Sequence, residues 1–243
     1  MEITGYTVYC LILLLSHLVQ GITGFGGIVL ALPVLVYFFP VKTLIPALVV
    51  VNLVQTMWFT ASERRHIQPG HAKSIVFLSL AGLPFGYAAY RFLPSEQLKI
   101  GLGIFVIMVA VWNLNGFTLK RRAPLFYYHF LNLIGGFIQG ALASGGPFLV
   151  IYAARMIEDK SAFRATLSLI WTVLNIVLCI TYTATRVWNA DMVPLMGLAL
   201  PVMATGTVLG IVLHERIPQK PFRSLVFTIL LISGILLLRP LFN

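Results

Sequence analysis

Two apolar stretches of this chain, residues 5–38 and 125–154, are too long to be single simple membrane helices, and the same phrase interrupts both. Val19-Gln20-Gly21-Ile22-Thr23-Gly24-Phe25-Gly26-Gly27 recurs 119 residues later as Ile138-Gln139-Gly140-Ala141-Leu142-Ala143-Ser144-Gly145-Gly146. A helix over all of 5–38 would be roughly 51 Å long, against about 30 Å of bilayer hydrocarbon. The glycine phrase sits near the middle of each stretch. Each stretch is therefore either one kinked crossing or two helices that meet at a tip and double back.

Composition sets the class. The chain of 243 residues is 59% hydrophobic and 10% charged, far from the balance of a water-soluble domain. Further apolar segments run over 43–61, 74–93, 98–118, 165–185, 192–213 and 222–242. This predicts an all-α polytopic membrane protein, residues 1–243 forming one membrane domain. The start, Met1-Glu2-Ile3-Thr4, lacks the basic residues of a cleaved signal, so the first segment is expected to be retained. Cys10 and Cys179 lie inside apolar segments at unmatched places and read as small buried hydrophobes. The net charge of +10 lies in short loops between spans, which argues for cytoplasmic loops and against nucleic-acid binding.

The two halves, 1–119 and 124–243, match beyond the glycine phrase, with the basic run Lys120-Arg121-Arg122 at their junction. Gly82-x-x-x-Gly86 followed by Leu93-Pro94 returns as Gly206-x-x-x-Gly210 followed by Ile217-Pro218, and Asn52 returns as Asn175. Basic residues choose between the two readings of the long stretches. If each crosses once, the positive charges divide evenly between the two sides. If each doubles back, the loops at 62–73, 119–124, 155–164 and 214–223 share one side and hold twelve basic residues against five. Each half then has a hairpin and three crossings, an odd number, which makes the halves inverted-topology repeats with both termini outside.

A helix break inside a membrane frees backbone N–H groups that lipid cannot satisfy. New helices start near Gly27-Ile28 and Gly146-Pro147, and two such N-termini aimed at one midplane point make an anion site without a buried cation. The expected site residues are Gln20, Thr23, Gly24, Phe25, Gly26 and Gly27 in one half, and Gln139, Ser144, Gly145, Gly146 and Pro147 in the other. The mid-span amides Asn52 and Asn175 join them. Thr23 and Ser144 are candidates to cap freed N–H groups, and Gln20 and Gln139 to donate to an anion. His17, Lys42 and Arg164 are candidates for gating or access. The pairs Gly82/Gly86, Gly206/Gly210 and Gly136/Gly140 read as close helix contacts.

All seven carboxylates lie at termini, loops or span ends, which leaves none mid-membrane as a proton relay or sodium ligand. No metal cluster, nucleophile–base pair or phosphate loop is visible, so an enzyme, a cofactor and ATP-driven pumping are not expected. A secondary transporter is the leading reading and an anion channel of the same architecture is the alternative.

The duplicated phrase, the Gly140-x-x-x-Ser144-Gly145-Gly146-Pro147 element and the Phe163-Arg164-Ala165-Thr166 start of the next span resemble the TauE/SafE sulfite exporter family. That resemblance covers nearly the whole chain. It implies export of a small sulfur-containing anion, sulfite or an organosulfonate, by a multi-pass protein of a bacterial inner membrane; a homodimer is left open. The first half has Ile28 where the second has Pro147, so the two tips are expected to be unequal, with the second dominating.

Overall fold

In a computed structural model the described residues are 3–115, 124–213 and 219–239, and they form an all-helical bundle. The junction Lys120-Arg121-Arg122, the Ile217-Pro218 pair and both chain ends lie outside the described residues. The helices are α1 (Ile3–Thr23), α2 (Gly27–Leu35), α3 (Val41–Ser62), α4 (Pro69–Phe92), α5 (Ser95–Leu114), α6 (Leu125–Leu142), α7 (Gly146–Met156), α8 (Lys160–Ala184), α9 (Met192–Leu213) and α10 (Gln219–Leu238).

Six helices are long and apolar enough to cross a membrane: the Gly5–Thr23 part of α1, α3, α4, α5, the Ser161–Ala184 part of α8, and α9. Their outward faces are apolar as well. Phe77, Phe85, Phe92 and Phe126 are 71–82% exposed, a surface that only lipid matches. The inner spans are α3 and α8, 61% and 56% buried against 33–39% for the others.

Both long stretches double back. Gly27, opening α2, abuts Gln20 and His17 of α1, and Phe39 beyond the end of α2 places its ring 5.9 Å from Tyr6 and 5.4 Å from Tyr9. The returning segment therefore runs antiparallel to α1. In the second stretch Gly145 abuts Gln139 and Gly135, Leu149 abuts Gly135, and Tyr152 lies 6.1 Å from Tyr128. The arms are unequal, though: α1 has 21 residues and α2 has 9, while α6 has 18 and α7 has 11. The first arms are not half-length helices, because only residues from the glycine phrase onward disturb their i→i−4 bonding.

Glycine faces bring specific helices into backbone contact. A Cβ on Gly82 or Gly86 of α4 would strike the backbone of Leu133 or Phe137 in α6, and one on Gly136 or Gly140 would strike Ser79 or Leu83 in return. The same happens between α9 and α1, where Gly206 meets Leu14 O and Gly210 meets Leu18 O. So α4 rests on α6 and α1 rests on α9, while α3 packs on α8 and α5 on α10. Every one of these pairings joins one half of the chain to the other.

Candidate functional site

The turn at the end of α1 is built by two left-handed glycines, Gly24 at φ +81° and Gly26 at φ +101°, a conformation that costs a residue with a Cβ about 1–2 kcal/mol. Thr23 Oγ1 accepts the Phe25 N–H at 3.3 Å and lies 2.9 Å from Val19 O, so the threonine ties the turn to itself. At the second tip the left-handed residue is Ala143, at φ +52°. Ser144 Oγ donates to Leu142 O at 2.9 Å and caps no N–H, contrary to the sequence expectation. Its own neighbouring carbonyl is the nearer partner. Pro147 takes the first turn of α7, where its missing N–H costs nothing.

The two tips meet. A small cavity of about 20 Å³ lies between them, lined by Gln20, Gly26, Gly27, Ile28 and Val29 from the first hairpin and Gln139, Ala143, Ser144 and Gly146 from the second, with Asn52 and Trp171 completing the wall. A Cβ on Gly146 would stand 3.8 Å from Trp171 and 4.0 Å from Val29, in ordinary contact with both, so a methyl fits here and a larger side chain would fill the cavity. Seven of the expected residues thus line one cavity: Gln20, Gly26, Gly27, Asn52, Gln139, Ser144 and Gly146. Thr23, Gly24, Phe25, Gly145, Pro147 and Asn175 do not line it; they form the turns and supports behind it.

The amides are already paired. Gln20 Nε2 donates to Asn52 Oδ1 at 3.0 Å, and Gln139 Nε2 donates to Asn175 Oδ1 at 3.0 Å. The glutamines were expected to offer these donors to a ligand, and they use them to brace each hairpin against the next span. That answers the cost of a buried amide, since all four side chains are at most 8% exposed. Within these four side chains two buried atoms stay without a partner, Gln20 Oε1 and Asn175 Nδ2.

Behind the first tip His17 Nδ1 bonds Gln55 Oε1 at 2.9 Å, and Gln55 Nε2 bonds Thr207 Oγ1 at 2.5 Å, linking α1, α3 and α9. An amide oxygen only accepts, so the imidazole proton sits on Nδ1. The sequence reading missed Gln55, Thr207 and Trp171. Gln55 falls one turn after Asn52 on the same face of α3, and that spacing of two mid-span amides was the available signal.

Of the access candidates, Arg164 is engaged. Its guanidinium pairs with Glu63 at the end of α3, its stem lies over Gly24, and its charge stands 5.8 Å from the Phe59 ring. Lys42 is half-buried and donates to Arg91 O at 3.4 Å, at the opposite end of α3 from Glu63. Nearby, Thr166 Oγ1 accepts the Gln68 N–H at 3.0 Å and ties the start of α4 to α8, while Asp159 caps α8 through the Ala162 N–H at 2.7 Å. The Phe163-Arg164-Ala165-Thr166 element thus has two structural tasks, a pairing with α3 and an anchor for α4.

The family model described as sulfite exporter TauE/SafE matches residues 9–237, and so takes in both hairpins, the cavity between them and the Arg164 element. The chain belongs to that family. A curated relative, the probable inner membrane transporter protein TsaS of Comamonas testosteroni, is 25% identical over 144 residues. The match covers 58% of this chain and 60% of that relative's length, so the similarity to it is partial. No solved structure matches the chain.

Proposed function

We propose that this protein is a secondary transporter that exports a small sulfur-containing oxyanion across the inner membrane. Family membership supports the class of activity and of substrate, and the name of the relative supports the membrane. The observation that carries the site is the meeting of two helix N-termini, α2 and α7, across one cavity inside a bundle whose outer surface is apolar. Helix N-termini offer unsatisfied N–H groups and a partial positive charge to an anion without burying a full cation. The cavity has room for about one water, too little for a sulfur oxyanion, so the site widens to bind one. A space this narrow favours a carrier over an open channel.

The pairing of α1 with α9 and of α4 with α6, exchanged between the halves, supports reading 1–119 and 124–243 as inverted repeats. In such repeats alternating access arises as one set of helices rocks against the other around a fixed site. Arg164 and Glu63 belong to the twelve-charge side, which we assign to the cytoplasm, with both termini outside. An anion leaving a negative interior gains about 2.3 kcal/mol per charge per 100 mV, so export needs no coupling ion.

Solid-supported-membrane currents from proteoliposomes test this reading. Sulfite and sulfoacetate are expected to give saturable currents, with taurine, sulfate and chloride as comparisons. Gly146→Leu fills the small cavity between the tips and is expected to abolish the currents in a folded protein. Absence of current for every anion, or currents untouched by Gly146→Leu, would overturn the assignment.

A further inference from the structure

The two tips carry nearly the same residues and bond differently. At the second, the Gly145 N–H donates to Gln139 Oε1 at 3.1 Å, Phe148 N–H bonds Gly145 O at 3.3 Å, and Pro147 has no N–H. No acceptor among the described residues takes the N–H groups of Ser144, Gly146 and Leu149. At the first, Leu30 N–H bonds Gly26 O at 3.0 Å, and no acceptor among the described residues takes the N–H groups of Gly27, Ile28 and Val29. Consecutive free donors, on Gly27, Ile28 and Val29, occur at the first tip, whereas Pro147 interrupts the run at the second.

That tip also holds a lone acceptor. Gln20 is 2% exposed, its Nε2 is spent on Asn52, and its Oε1 lies against Gly27 without a partner. The orientation repeats that of Gln139, whose oxygen is pinned toward its tip by the Gly145 N–H. A buried carbonyl left unpaired is costly, and beside a fully deprotonated oxyanion it would be repelled. Among the described residues no Lys or Arg lines the cavity to offset a second negative charge. The Arg164 guanidinium is held by Glu63, and His17, beside Gly27, directs its Nδ1 proton to Gln55.

We infer that the first tip selects a singly charged oxyanion bearing one O–H group, which donates to Gln20 Oε1 while its other oxygens accept from the Gly27 and Ile28 N–H groups. Within the sulfur anions this is the hydrogensulfite form, in preference to the sulfite dianion or to a sulfonate that has no hydroxyl on sulfur. The inference rests on the reading of the tips as an anion site.

The test compares hydrogensulfite with methanesulfinate, which has the same charge and nearly the same size but carries a methyl group in place of the hydroxyl. Initial uptake into proteoliposomes is measured at one mildly acidic pH, which holds the protonation of His17 constant. Wild-type protein is expected to prefer hydrogensulfite by about tenfold, the value of one buried hydrogen bond. In Gln20→Met the ratio falls toward one. Equal uptake of the two by the wild type, or a preference that survives in a folded Gln20→Met, overturns the role of Oε1 and leaves anion transport standing. Uptake of neither overturns this inference together with the reading beneath it.

Discussion

Arg164, at the start of α8, grips the carboxylate of Glu63, at the end of α3, 101 residues earlier in the chain, and lays its stem across Gly24 on the way. One side chain thereby connects the two inner spans to the first hairpin tip. The pair is partly screened, with side chains 26% and 17% exposed, so its coupling is modest. A double-mutant cycle of Glu63→Gln and Arg164→Met, read from thermal unfolding in detergent, is expected to give about 1 kcal/mol of interaction energy. Additive single mutants would mean that the pair contributes no stability.

The glycine contacts predict a contrast within one helix class. Gly86→Ala forces a Cβ onto the Phe137 carbonyl and is expected to destabilise the protein by about 2 kcal/mol or more. Gly101→Ala, on α5, meets nothing within 4 Å and is expected to leave the melting temperature unchanged or higher. Similar losses for both would remove the close α4–α6 contact as the cause.

Ala143 holds a left-handed backbone where the matching residue of the first tip is Gly24. Ala143→Gly relieves that strain and is expected to raise stability by about 1 kcal/mol. A lower melting temperature would show that the Ala143 methyl, 4% exposed against the second tip, contributes more by contact than its backbone loses.

Export driven by the potential predicts that efflux of a sulfur anion from loaded vesicles speeds up when the interior is made negative and slows when the sign is reversed. Each charge carried contributes about 2.3 kcal/mol per 100 mV. Efflux indifferent to the potential would require an electroneutral exchange or a coupled ion.

Much of the fold was legible because membrane helices announce themselves by length and apolar content. The eight apolar segments correspond to α1 through α10, and the excess length of 5–38 and 125–154 marked where hairpins form. The small-residue spacing at Gly82/Gly86 and Gly206/Gly210 likewise named the faces that touch. The internal bonding of the site was not legible. Gln55 reaches Thr207 across 152 residues, and Glu63 reaches Arg164 across 101, separations at which local spacing holds no information about contact. Nor does the duplicated phrase reveal that its two copies bond differently. That difference comes from where the left-handed residues fall, at 24 and 26 in one copy and at 143 in the other, and a backbone angle is not written in a residue list.

The glycine-faced pairs have one more consequence, for how the chain is assembled. Since α1 lies backbone to backbone on α9 and α4 on α6, each hairpin's long arm rests on a helix translated from the other half. A cut at the basic junction would give two fragments that each lack the support for their own hairpin. Neither fragment is expected to fold alone, since the cavity between the tips needs helices of both halves.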